Sequence, residues 1–207
     1  MIPFTKAFAL TALSCMVSLL SGCASSSLVD KWRDPSFQAQ PLEKLLVISV
    51  RKDAAKRRIW EDAFADELVK RGMVATTSYS LFPDAPPDTH QVIATAQANG
   101  FEAILVIRRL PTEKMRKPMS EEQNMNYTSY WQRYLTYYRD LDNPGYNDSQ
   151  SVDMRSIEVT TTGANGKLIW SAKSRTPDPA SVPQAQRGIA GLVISTLASQ
   201  RIIGSRK

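Results

Sequence analysis

Side chains able to do chemistry are scarce in this chain of 207 residues. It holds one histidine and two cysteines. Both cysteines, Cys15 and Cys23, fall near the amino terminus, so the rest of the chain can form neither a disulfide framework nor a thiolate metal site. His90 has no second histidine to work with, and there is no HExxH or CxxC. At a predicted helix start, a lone histidine reads as a solvated surface residue. The stretch "GANGKL" contains Gly-Lys but lacks the spacing and the Ser/Thr of a phosphate-binding loop. Long apolar runs are missing too. Ala7 to Leu20 is interrupted by Thr11, Ser14 and Ser18, and is shorter than the ~20 residues that span a bilayer. No internal repeat is present. These absences leave no catalytic residue, metal or cofactor to assign, and the expectation is a protein that is not an enzyme.

What is present begins with the leader. Lys6 and the terminal amine precede the apolar run, and Ser21 and Gly22 are the small residues of a cleavage site. Leu20-Ser21-Gly22-Cys23 resembles a bacterial lipobox. In that family the cysteine thiol receives a diacylglycerol, the signal is cut before it, and the new amino group is acylated. The resemblance implies a signal peptide over 1–22 and lipidation at Cys23. The alternative is an ordinary signal with a chance cysteine. Ala24 and Ser25 follow with no aspartate, which by resemblance to Gram-negative sorting implies the outer membrane, with the domain facing the periplasm. Two or more acyl chains anchor a protein firmly where one does so marginally. The expected membrane link is therefore a lipid anchor and not a span.

The net charge is +6 and the pI about 9.4. Lys6 accounts for one of those charges. A basic exported chain has anionic neighbours in lipid head groups, lipopolysaccharide phosphates and cell-wall carboxylates, while nucleic acid is not an expected partner there.

Residues 23–42 carry Ser, Gln and Pro without periodicity and read as a tether, with Trp32-Arg33-Asp34-Pro35 as a local turn whose indole docks on the domain. A single domain over 43–207 follows. Glu43 to Val50 reads as a buried strand. Asp53 is the expected cap of a helix that stops at Gly72, with Ile59, Trp60, Ala63, Phe64 and Leu68 at helical spacing. Asp66 with Lys70, and Glu67 with Arg71, are favourable i,i+4 pairs, and Glu61 and Asp62 read with them as surface carboxylates. Met73 to Leu81 is β-prone. A second helix starts at Asp88 or Thr89 and ends at Asn99-Gly100. Phe101 to Leu110 has the continuous apolar run of a parallel strand covered on both faces. This βαβαβ pattern predicts an α/β sheet in the order 2-1-3. Val152 to Thr162 and Lys167 to Arg175 flank Gly163-Ala164-Asn165-Gly166 as a hairpin. Ile189, Leu192, Val193, Thr196 and Leu197 mark a final helix, whose Gly188 and Gly191 suggest close packing on the sheet. The fold class is thus α/β with a mixed sheet: βαβαβ, a long insertion over 111–151, a hairpin and a carboxyl-terminal helix. The predicted core includes Leu46, Ile48, Phe64, Leu68, Ile104, Val106, Leu192 and Leu197.

"VDKWRDP", "SYSLFP", "GFEAILVIRRL" and "TGANGKLIWSAKSRTPDP" together are similar to a broad group of Gram-negative envelope lipoproteins, whose domain resembles the amino-terminal α/β domain of the Tol translocation protein. The resemblance spans most of the chain after the leader. It implies a structural domain and carries no catalytic residue to any position here.

Two features suggest function. The first is the insertion, where Tyr127, Tyr130, Trp131, Tyr134, Tyr138 and Leu141 recur at helical spacing, and Thr128, Gln132, Arg133, Thr136 and Arg139 fall on the other side. Ser120 with Gln123 resembles a capping box. A helix is preferred because strict alternation fails, and an extended aromatic hairpin is the competing reading. The stripe either packs on the domain's own sheet, with Tyr137 and Tyr138 nearer the solvent, or recruits an envelope partner. The second feature is basic. Arg51 and Lys52 leave the first strand, and Arg108 and Arg109 end the third, at the switch-point crevice beside a helix amino terminus. That arrangement suggests an anion or small-ligand site. The first feature makes the domain an interaction or assembly module; the second, the alternative, makes it a ligand-binding domain.

Overall fold

The computed structural model describes residues 26–38, 40–110, 129–140, 152–163, 165–177 and 182–204. Cys23, Tyr127, Leu141, Ser120 and Gln123 lie outside them.

The described elements are β1 (Ser27–Arg33), β2 (Lys44–Val50), α1 (Ala54–Lys70), β3 (Val74–Thr77), the single-turn α2 (Ser78–Leu81), α3 (Thr89–Ala98), β4 (Ala103–Arg109), α4 (Tyr130–Asp140), β5 (Val152–Thr161), β6 (Leu168–Pro177) and α5 (Val182–Ser199). The six strands form one mixed sheet in the order β1-β6-β5-β4-β2-β3. β3, β2 and β4 are parallel, and β4, β5, β6 and β1 alternate in direction. The parallel trio has the order expected from βαβαβ, and the fold is mixed α/β.

Local chemistry explains the helix ends. Asp53 caps α1 by accepting from the Lys56 N–H at 2.8 Å. Its last turn closes with Gly72 at φ +83°, a left-handed residue that glycine adopts without a Cβ penalty. Asp88 and Gln91 form a reciprocal capping box at α3.

Side chains alternate across the strands, and the sheet has a core on each side. On one side Leu45, Val47, Leu105, Ile107, Ile157 and Val159 meet Trp60, Phe64 and Leu68 of α1, and Ile189, Val193 and Leu197 of α5. On the other, Leu46, Ile48, Ile104 and Val106 meet Val92 and Ala96 of α3 and the rings of α4. Each such side chain contributes about 1.5–3 kcal/mol on leaving water.

Several expectations change. The stretch read as a tether holds ordered structure at both Ser27–Arg33 and Leu42. Ser27–Arg33 is an edge strand on β6, and Leu42 bridges to Ile203. This strand shows little apolar periodicity because neither of its faces is fully covered. β1 also carries an irregularity between Val29 and Trp32, with Asp30 at φ +53°, which breaks the alternation that would reveal a strand. Trp32 lies within β1, and the turn follows it at Asp34, whose carboxylate accepts from the Ser36 N–H at 2.8 Å. The stretch after Met73 is strand only through Thr77, since Ser78–Leu81 turns to a helical conformation. Leu192 and Ile59 lie on outward faces of their helices, 36% and 41% exposed. Gly188 and Gly191 are not close-packed: a Cβ would meet nothing within 4 Å at the first, and only Glu67 Oε2 at 3.9 Å at the second. Lys70 pairs with Glu67 at 2.5 Å, and Arg71 donates to Ser195.

Candidate functional site

The strand register assembles the basic end of the sheet. Val50 lies beside Arg108, Arg109 beside Arg155, and Arg175 between Met154 and Ser27. The carboxyl ends of β2 and β4 and the start of β1 therefore share one rim. The four cations singled out from sequence do not form one pocket there. Consecutive residues of a strand point to opposite faces, so Arg108 follows Ile104 and Val106 onto one side and Arg109 follows Leu105 and Ile107 onto the other. Arg51 lies 5.7 Å from the Trp60 ring centroid, and Arg155 lies 4.3 Å from it. Lys52 is exposed, and His90 is exposed at the start of α3.

Arg108 is committed elsewhere. Its guanidinium lies 4.3 Å from the centroid of Tyr137, and its Nε is 3.6 Å from Glu158 Oε1. Glu158 is fully buried. It accepts from Tyr137 Oη at 2.6 Å, Tyr130 Oη at 2.9 Å and Ser156 Oγ at 3.0 Å, and pairs with Arg133. Burial alone would push this carboxyl up. The Arg133 and Arg108 guanidiniums, with the Tyr137 and Tyr130 hydroxyls, outweigh it and hold the group at about 2. Tyr130 and Tyr137 move the other way, raised by burial and by the Glu158 charge.

This network attaches the insertion to the sheet. The Tyr130 N–H donates to Asn165 O at 3.0 Å, and Trp131 Nε1 donates to Gly163 O at 3.0 Å, so α4 starts on the hairpin turn. Tyr130, Trp131 and Tyr134 are buried. The Tyr134 ring meets Trp131 at 6.0 Å and Tyr138 at 5.7 Å. The described part of the stripe packs on its own domain, with Tyr138 half-buried at its edge. Two residues depart from expectation. Tyr137 is buried, not solvent-facing, and Arg133, assigned to the outer side, is 7% exposed. Both are drawn inward by Glu158. Glu158 itself alternates with Ile157 and Val159, which reads from sequence as the water side of a half-buried strand. Only α4 lying over that face makes it interior.

A second buried carboxylate, Glu61, holds α1 to β2 and α2. It accepts from the Ser49 N–H at 3.0 Å, Ser78 Oγ at 2.6 Å, the Tyr79 N–H at 2.9 Å and Arg57 Nε at 3.2 Å. Burial pushes its carboxyl up against the effect of those bonds. Arg57 also donates to Phe82 O and Ser78 Oγ. The surface ion pair expected here is thus an internal brace. Glu61 and Glu158 are both fully shielded from water, so neither is open to a substrate. Among the described residues, no group of His, Cys, Asp and Glu is placed to hold a metal ion, and no helix is long and apolar enough to cross a membrane.

Two solved structures of the PelC dodecamer from Paraburkholderia phytofirmans, one of a leucine-to-methionine variant, align with TM-scores of 0.45 and 0.44 and 13% and 12% identity. Each covers 87% of this chain and 99% of the other. That likeness is too slight to bring assembly or activity to this chain. No family model matches, and no curated protein sequence does.

Proposed function

We propose that this chain is an outer-membrane lipoprotein, held by acyl chains on Cys23, whose periplasmic domain serves as a non-catalytic interaction or assembly module of the cell envelope. The observation that supports this most is how little chain separates the lipobox from the fold. Ser26 Oγ is already 2.8 Å from Thr176 Oγ1, and β1 begins at Ser27. A lipobox directly followed by an ordered edge strand suits a domain held against its membrane. The two buried carboxylates brace helices to the sheet, which favours a scaffold over a catalyst.

The test is in cells. Cys23→Ala should leave uncleaved precursor or protein released by a high-salt wash. If the variant still fractionates with the outer membrane, the anchor is wrong. A photo-crosslinking residue at Leu135, 57% exposed on α4, should give a defined adduct with another envelope protein that depends on Cys23. Absence of any adduct from Leu135, Val69 and Leu192 alike would overturn the module reading.

A further inference from the structure

The single turn α2 stands where β3 would otherwise continue. β2 runs to Val50, but β3 leaves it after the Val47–Thr77 pair. Alternate residues of β2 address β3 and β4 in turn. Glu43 O accepts from the Val74 N–H at 2.8 Å, and Lys44 O accepts from the Glu102 N–H at 2.9 Å. Ser49 therefore addresses the β3 side, where no strand lies opposite it among the described residues. Its N–H donates to Glu61 Oε1 at 3.0 Å. Continued register would set Ser49 beside Tyr79 and offer its N–H the carbonyl of Ser78. That carbonyl instead accepts from the Phe82 N–H at 2.9 Å, the bond that closes α2. The Glu61 carboxylate thus occupies the place of a strand.

The residues of α2 suit the missing strand. Ser78, Tyr79, Ser80 and Leu81 alternate in hydropathy. In continued register Tyr79 and Leu81 share the face of Ala75, which packs on the core under α1. Tyr79 Oη already donates to Asp62 of α1 at 2.6 Å. A lone helical turn is unfavourable by itself, and the Thr77 side chain does not cap this one. It is held from outside. Glu61 accepts from Ser78 Oγ and the Tyr79 N–H, and Arg57 donates to Ser78 Oγ at 2.8 Å and Phe82 O at 2.9 Å. We infer that Ser78–Leu81 is a two-state segment, a turn of helix that converts to a continuation of β3, and that Glu61 and Arg57 hold it helical. A local preference in conflict with the fold around it marks such a segment. Conversion joins the four residues of β3 and the four of α2 into one edge free of charged side chains. Very short edge strands resist pairing with other chains, and long ones invite it, so the turn keeps this edge closed. Conversion also draws Phe82 O from Arg57 and moves the loop toward Pro87, whose carbonyl accepts from Tyr134 Oη at 3.4 Å. The sheet edge is thereby linked to α4. This equilibrium belongs to the domain and does not depend on Cys23.

The experiment is nuclear magnetic resonance on the full chain in detergent micelles. Ser80 and Leu81 are exposed, so the double variant Ser80→Val, Leu81→Val raises strand preference without disturbing the core. It should raise the ratio of strand to helix about tenfold. The Cα and Cβ shifts of residues 78–81 should move toward strand values, and cross-strand contacts should join Ser49 to Tyr79 and Ser80. Glu61→Gln replaces one acceptor oxygen with a donor facing the Ser49 or Tyr79 N–H, and should shift the segment the same way. If Glu61→Gln does not fold, the surface pair decides alone. Helical shifts retained at 78–81 in the surface pair would overturn the proposal. So would loss of helical shifts with no contact to Ser49, because the segment would then melt and not convert.

Discussion

Glu158 carries a charge in the interior, and two arginines and two tyrosines keep it there. Its folded value of about 2 lies below the ordinary carboxylate range, so the unfolded chain binds the proton more readily. Stability from this group is complete above about pH 5 and is lost as the pH falls toward 2. The difference corresponds to about 3 kcal/mol. Glu61 works in the opposite direction: its raised value penalises the charged form at neutral pH, and that penalty is relieved on acidification. Glu158→Gln should therefore cost about 3–5 kcal/mol at pH 7, because Arg133 and Arg108 remain buried without their counter-charge. It should also flatten the acid limb of a denaturation series. An acid limb identical to the parent's would show that Glu158 is not the titrating group. Gly166 is a second decisive residue. It has φ +54°, and a Cβ there would meet Trp131 Nε1 at 2.9 Å and Tyr130 Cβ at 3.1 Å. Gly166→Ala should destabilise by more than ~1 kcal/mol through backbone strain and displacement of α4. Urea unfolding measures it.

At the scale of elements, α4 and α5 show what a helix owes to its neighbours. Tyr134 joins Trp131, Tyr137 and Tyr138 in one ring cluster, so Tyr134→Ala should lower stability by about 3–5 kcal/mol. A loss near zero in urea unfolding would mean that α4 is dispensable to the fold. In α5, Gly188 and Gly191 have room around them and weaken the helix. Gly188→Ala should stabilise by about 0.5–1 kcal/mol, seen as a higher melting temperature. A decrease would reveal a contact that the space around it does not suggest. Helix spacing alone made the aromatic stripe of α4 legible, including Tyr130, Trp131 and Tyr134. It mis-sorted Arg133 and Tyr137, because a hydropathy pattern puts arginine outside whatever charge waits across the interface.

For the whole molecule, the parallel order β3-β2-β4, the hairpin and the mixed sheet were legible in the residues. Buried parallel strands are continuously apolar, and the Gly163–Gly166 turn has strong local chemistry. β1 was not legible, since an edge strand with an irregular register has neither signal. The anion crevice built on Arg51, Lys52, Arg108 and Arg109 joined residues that are near in sequence register but face different ways.

The residues alone determine the local matters: the helix caps at Asp53 and Asp88, the hairpin turn, and the scarcity of thiol and imidazole chemistry. Each depends on neighbours within a few positions. The tertiary structure decided which polar groups are interior and which rim the chain enters. Glu158 is buried because α4, some twenty residues earlier in the chain, lies over β5. Ser26 reaches the basic rim because β1 pairs with β6 at the other end of the domain. Charge burial and surface asymmetry are properties of surfaces brought together from distant segments, and periodicity within a single segment does not encode which surface will cover it.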